Sequence, residues 1–213
     1  MRALLLVLVV GALATGCGGG NGADTTTSAA GGCESVDAPA AREPGSRKAP
    51  TQPLDAGKTY SLAVDTNCGS FTMELDPAVA PRTAASLVAL ANDGYFDDTI
   101  FHRVVPGFVI QGGDPSQSGA GGPGYTTVDV PPADAKYTRG VVAMAKGGTE
   151  APGTSGSQFF VVTADDAGLP PDYAIVGKVT EGMDAVDRID ALGVGDGPPS
   201  QPVVVTSVTV DES

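Results

Sequence analysis

The stretch FHRVVPGFVIQGGDP, Phe101 to Pro115, holds the single histidine of the chain, an arginine beside it and a glutamine further on. A histidine could serve as a general base, but the partners for attack are missing. GTSGS at Gly153 to Ser157 has serine where the last glycine of a Gly-x-Ser-x-Gly elbow belongs, leaving His102 only an elbow-free Ser-His-Asp arrangement. One histidine and three cysteines do not make a zinc site, so no metal is expected. GAGGPG, Gly119 to Gly124, fits a dinucleotide pattern, yet prolines and β-branched residues follow it where a helix should begin. Gly57-Lys58-Thr59 ends like a P-loop, but Gln52 stands where the earlier glycine must be, and no cofactor is expected. Twelve basic against 25 acidic side chains, a formal charge of −13, exclude a phosphate-neutralising surface and with it nucleic acid. What remains is Arg103, Phe108, Gln111, Gln158 and Phe160: one fixed cation, two amides and two aromatic rings. From periodicity alone these are equally a surface charge, solvated glutamines and core phenylalanines.

The elements that must position them are short. Tyr60, Leu62 and Val64 alternate, Thr66-Asn67-Cys68-Gly69 reads as a turn, and Phe71, Met73 and Leu75 alternate again: a hairpin. Ala84, Leu87, Val88 and Ala91 recur at helical spacing between Pro81 and Gly94, and GMDAVDRIDAL carries a second helical pattern. Strand-like runs follow at Thr99 to Val105, Phe108 to Gln111, Val141 to Ala145, Gln158 to Thr163 and Ala174 to Val179, and PVVVTSVTV supplies the last. Period two places Arg103 with Val105 on one face, and Gln158 with Phe160. Many short strands and two helices predict an all-β barrel with helices over its ends.

The N-terminus carries Arg2, an apolar run from Ala3 to Ala14 and then Cys17. That run is too short for the ~20 residues of a membrane span, so residues 1–16 are expected to be a signal peptide. Ala14-Thr15-Gly16-Cys17 resembles the lipobox of bacterial lipoproteins, in which the cysteine is acylated; the alternative is an ordinary cleaved signal with an incidental cysteine. Residues 17–58 have almost no large apolar side chains and are expected to form a flexible tether, lipid-anchored at Cys17, with the folded domain spanning 59–213. The expected location is the outer face of a bacterial cell membrane. Export brings an oxidising compartment, in which a Cys33–Cys68 disulfide is favoured over free thiols.

The long motifs tip the balance between the readings of the polar set. FHRVVPGFVIQGGDP, SGSQFFVVTA and IVGKVTEGMDAV, in that order and at compatible spacing across about Tyr60 to Val210, resemble the cyclophilin family of peptidyl-prolyl cis-trans isomerases. The resemblance implies an eight-stranded antiparallel β-barrel capped by two α-helices. It implies that Arg103 is the catalytic arginine and that Phe108, Val109, Phe160 and Leu169 seat the proline ring. It further implies that Gln111 and Ala145 hold the substrate backbone, that Gln158 is a second glutamine of the groove, and that His102 is not the catalytic group. Tyr173 stands where the family has a pocket histidine, Gly168 where it often has tryptophan, and Lys146 at an asparagine position in a longer loop. The expected activity is prolyl isomerisation in exported proteins by a monomer, with proline-containing segments as partners. A proline-peptide binding module or holdase with little catalysis is the second reading, and a hydrolase using His102 a third.

Overall fold

The computed structural model of the protein describes residues 32–43 and 45–213. Strand β1 (Tyr60–Thr66) and strand β2 (Gly69–Leu75) form the expected hairpin, whose register sets Leu62 against Met73 and Val64 against Phe71. The remaining strands are β3 (Thr99–Ile100), β4 (Arg103–Val105), β5 (Val109–Gly112), β6 (Thr127–Val128), β7 (Val141–Met144), β8 (Thr154–Ser155), β9 (Phe159–Val162), β10 (Ile175–Glu181) and β11 (Val204–Glu212). The main sheet is antiparallel and runs β3-β11-β1-β2-β10-β7-β9-β5-β4. Its two edges, β3 and β4, are separated in the chain only by Phe101 and His102. The run Thr99 to Val105 is therefore one bent strand that pairs with β11 by its first half and with β5 by its second. Counted as one strand, it brings the sheet to eight and carries it around from one edge to the other, removing the open edges that would invite foreign strands.

Helix α1 (Pro81–Asn92) buries Ala84, Leu87, Val88 and Ala91 against the sheet. Its first turn is held from a distance: the Asp129 carboxylate accepts from the backbone N–H and the hydroxyl of Thr83, each at 2.7 Å. Helix α2 (Met183–Asp190) buries Val186 and Ile189 and packs over β2, β4 and β5.

Alternation along the strands creates two apolar faces. Ile110, Val142, Met144, Phe159 and Val161 point into the barrel with Phe71, Phe96 and Phe101. Their neighbours Val109, Ala143, Phe160 and Val162 form a separate cluster with Tyr137. A second cluster on the far side of a sheet is the foundation of a surface site.

The structure departs from the sequence reading in two places. The Gly-rich connections contain the two-stranded ribbon of β6 and β8, in which Thr127 faces Ser155. And although the described residues between 32 and 58 hold no helix or strand, part of that segment does not behave as a free tether. Cys33 is disulfide-bonded to Cys68, the Arg42 side chain donates to the carbonyls of Tyr95 and Asp97 at 2.7 Å each, and the Arg47 guanidinium lies 4.7 Å from the centre of the Tyr95 ring. Low apolar content forbids a core but not a strap held by hydrogen bonds. Residues 1–31, and with them the signal peptide and Cys17, lie outside the described residues.

Candidate active site

The β4–β5 hairpin turns at Pro106-Gly107 and sets Arg103 directly opposite Gln111. Gln111 in turn faces Phe160 on β9, and Phe160 faces Ala143 on β7, so one row of residues crosses four strands on the outer side of the sheet. A relay of side chains runs along its polar end. Arg103 Nη1 donates to Gln111 Oε1 at 3.1 Å, Gln111 Nε2 donates to Gln158 Oε1 at 3.0 Å, and Gln158 Nε2 donates to the Gly121 carbonyl at 3.0 Å. Each amide thus has a fixed orientation, set by a donor on one side and an acceptor on the other.

The apolar end is the outer cluster itself. Val109 and Phe160 form its floor, and half-buried Phe108, Ala145, Leu169 and Tyr173 pack around them. Phe160 and Tyr173 meet edge to face at 5.6 Å, and Tyr173 meets Tyr137 in the same way at 6.0 Å. All nine residues expected to line a groove, Arg103, Phe108, Val109, Gln111, Ala145, Gln158, Phe160, Leu169 and Tyr173, lie in this relay or this cluster. Beside them opens a cavity of about 830 Å³, bordered by Gln111, Ala145, Gln158 and the loops around Gly121 and Lys146.

The departures at Tyr173 and Lys146 compensate one another. Lys146 Nζ sits 5.6 Å from the centre of the Tyr173 ring and donates to the Glu150 carbonyl at 3.1 Å, so the lysine folds its own loop down over the tyrosine. Gly168 takes a left-handed conformation with open space around it, so that wall carries no side chain.

Sequence reasoning missed three contributors. Asp196, from the connection between α2 and β11, grips the guanidinium: Arg103 Nε donates to Oδ1 at 2.5 Å and Nη2 to Oδ2 at 3.2 Å. No local pattern marks a lone aspartate in a Gly-Pro loop as the partner of a residue so far back. Tyr137 holds Tyr173 by its main chain, donating its hydroxyl to the Tyr173 carbonyl at 2.7 Å and accepting from the Tyr173 N–H at 3.0 Å. Asp114, fully buried, organises the loop that ends at Gly121: its carboxylate accepts from the N–H groups of Ser116, Gly119 and Gly121. An Asp-Pro-Ser turn is the signal that could have shown it.

At the polar end of the groove half-buried Arg103 is partly matched by exposed Asp196. Arg103, by hydrogen bond and by charge, keeps the Asp196 carboxyl below its ordinary range. Burial pushes Asp114 up, but the Ser116, Gly121 and Gly119 donors outweigh it and hold the group ionised, below its ordinary value. Burial lowers His102, against smaller opposing effects from Asp114 and Gln158, and neither ring nitrogen has a hydrogen-bond partner among the described residues. With both ring nitrogens buried and unpartnered, the imidazole has neither the hydroxyl nucleophile nor the orienting carboxylate that a Ser-His-Asp arrangement requires.

The arrangement provides a fixed hydrogen-bond donor beside an apolar seat, with two amides to hold a peptide. Comparison with known proteins shows the family. Residues 61–210 match the family described as cyclophilin type peptidyl-prolyl cis-trans isomerase/CLD. The chain is 38% identical over 157 residues to peptidyl-prolyl cis-trans isomerase-like 1 of Aspergillus oryzae, covering 71% of this chain and 96% of that protein. It is 36% identical over 190 residues to probable peptidyl-prolyl cis-trans isomerase B of Mycobacterium leprae, covering 80% of this chain and 62% of that one. Among solved structures it is similar to the cyclophilin type peptidyl-prolyl cis-trans isomerase of Cryptosporidium parvum, with a TM-score of 0.66 at 30% identity over 72% of this chain and 98% of that one. A second structure of that protein, obtained in the presence of the dipeptide Ala-Pro, has a TM-score of 0.65 at 30% identity over 71% of this chain and 98% of that one. A barrel of this order, with this polar relay and this sequence likeness, means that the chain belongs to the cyclophilin-type peptidyl-prolyl cis-trans isomerase family.

Proposed function

We propose that the protein isomerises X-Pro bonds in exported proteins by non-covalent catalysis, with Arg103 as the catalytic residue. Amide resonance opposes the rotation with a barrier of about 18–20 kcal/mol, and the unaided process takes tens to hundreds of seconds. Reaching milliseconds requires lowering the barrier by about 5–7 kcal/mol. When the bond twists, the prolyl nitrogen becomes pyramidal and its lone pair localises, and the guanidinium donates to it. This interaction exists mainly in the transition state and therefore accelerates the step. A charge-assisted hydrogen bond contributes about 1.5–3 kcal/mol, so the arginine is not sufficient alone. The remainder comes from gripping the ring on Phe108, Val109, Phe160, Leu169 and Tyr173 while Gln111, Gln158 and Ala145 hold the flanking peptide, leaving one side free to turn. The observation that carries this reading is the Arg103–Gln111–Gln158 relay bordering the outer apolar cluster. The Cryptosporidium parvum relative studied with Ala-Pro supports a proline peptide as ligand. Turnover of a proline tetrapeptide by the protein and by Arg103→Ala is the test, and unchanged turnover overturns the arginine's role.

The same proposal places the enzyme outside the cytoplasm, acting as a monomer and anchored by acylated Cys17. The lipobox-like sequence before Cys17 and the Cys33–Cys68 bond, which belongs to an oxidising compartment, support it. The mass of the mature protein checks it: an N-terminal diacylated or triacylated Cys17 is expected, and an unmodified terminus contradicts it. The Asp196 carboxylate on Arg103 is the one observation that favours a binding-only groove, because it occupies two of the five guanidinium donors. In that reading peptide binds while its isomerisation stays at the uncatalysed rate.

A further inference from the structure

The N-terminal strap touches the same loop that closes the polar relay. Its far end is stapled to the β1–β2 turn by Cys33–Cys68 and by Asn67, whose side chain donates to the Glu34 carbonyl at 2.7 Å. In the middle, Arg42 clasps the carbonyls of Tyr95 and Asp97, its N–H donates to the Pro115 carbonyl at 2.8 Å, and Gln117 donates to the Pro39 carbonyl at 2.9 Å. At the near end the N–H of Gly45 donates to Gly122 O at 2.9 Å and the N–H of Arg47 to Pro123 O at 2.8 Å, while the Arg47 side chain is fixed by Asp93 at 2.6 Å. The fit is close on both sides: a Cβ on Gly124, whose φ is +90°, would lie 2.6 Å from the Gly45 carbonyl oxygen. Gly121, the residue before Gly122, is the acceptor that orients Gln158, and Gly45 itself borders the cavity beside the groove.

We propose that residues 33–43 and 45–47 are a positioning element of the substrate groove, not only a connection to the N-terminus. The strap braces the loop 115–124 from behind, so that Gly121 holds Gln158, Gln158 holds Gln111, and the cavity keeps its width for the residue that precedes the X-Pro pair. This rests on the groove being the peptide site proposed above.

The test uses the full chain with Arg42→Ala/Arg47→Ala, which removes the strap's side-chain clasps on Tyr95, Asp97 and Asp93 and leaves every groove residue in place. Cys33→Ser/Cys68→Ser, which frees the other end, serves as the second variant should the first not fold. Affinity and cis-trans exchange are measured by NMR for the tetrapeptides Phe-Ala-Pro-Ala and Ala-Ala-Pro-Ala, together with amide exchange at Gly119 and Gly121. The expected result is an affinity for Phe-Ala-Pro-Ala weakened about fivefold, the scale of one neutral hydrogen bond. Affinity for Ala-Ala-Pro-Ala should change less than about twofold, exchange at saturation should be retained, and the two glycine amides should exchange faster than those of the barrel strands. Parent-like affinity and amide exchange overturn the proposal, as does an equal loss for both peptides with faster exchange throughout the barrel. If the parent protein binds both peptides but accelerates neither, the isomerase mechanism fails while the affinities still decide the strap. If it binds neither, both fail.

Discussion

Arg103 commits three of its five N–H donors inside the protein, two to Asp196 and one to Gln111, which leaves two for a substrate. The Asp196 side chain is 67% exposed, so this ion pair adds little to stability and its value lies in aiming the guanidinium. Asp196→Ala is expected to lower kcat/KM about threefold to tenfold through kcat, with thermal stability almost unchanged; an unaltered kcat shows the fork needs no such holder. His102 gives a pH signature of a different kind. Its folded-state pKa is lowered by burial, so below about pH 6.5 the unfolded chain takes up a proton that the folded chain refuses. Stability from this residue is complete above that pH and declines as pH falls through the window below it. Melting temperatures from pH 7 to pH 5 should therefore drop in the parent protein and drop less in His102→Gln. At this scale the sequence was informative where residues sit in long motifs, as Arg103, Phe108 and Gln111 do. It was silent on Asp196, whose role depends on a contact 93 positions away.

Among the elements, the loop from Gly113 to Gly124 holds no helix or strand yet is densely bonded. It is wound around the Asp114 carboxylate, and a side chain at Gly121 is forbidden because its Cβ would lie 2.0 Å from Asp114 Oδ1. Asp114→Asn replaces one acceptor oxygen by a donor and strands loop N–H groups, the buried one of Gly121 among them when Oδ2 is the oxygen replaced. A loss of about 1–3 kcal/mol is expected by denaturant unfolding, together with weaker peptide binding through Gly121. Because the folded-state pKa is depressed, Asp114 contributes stability above its unfolded value and loses it as pH falls through the lower, folded one. The acid limb of the stability curve below about pH 4 should be shallower in the Asn variant. Periodicity exposed the hairpin and both helices because each has enough residues to show a repeat. It could not show β6 and β8, two residues each, or the wrapping of the glycines, which follows from side-chain-to-backbone bonds without any period.

The described residues fold as a curled antiparallel barrel with the candidate groove on its outer face, and two devices far apart in the chain complete it. One is the bent strand Thr99 to Val105, which joins the edges of the sheet and delivers Arg103 to the groove. It was readable as a strand, but its two partners were not, since pairing is decided by the tertiary fold. The other is the Cys33–Cys68 bond, closing a separation of 35 residues and expected to contribute about 3–4 kcal/mol in the chain-entropy model. Cys33→Ser/Cys68→Ser should lower the unfolding free energy by that order, and an unchanged midpoint in denaturant shows that the strap is not held by its staple. The catalytic proposal itself turns on separating binding from rotation. NMR exchange spectroscopy on a proline tetrapeptide, at saturating parent protein and at saturating Arg103→Ala, does this directly. The expected result is cis-trans exchange slowed about 10- to 100-fold in the variant with peptide affinity within about threefold of the parent, and exchange at the parent rate in Arg103→Ala would contradict the mechanism.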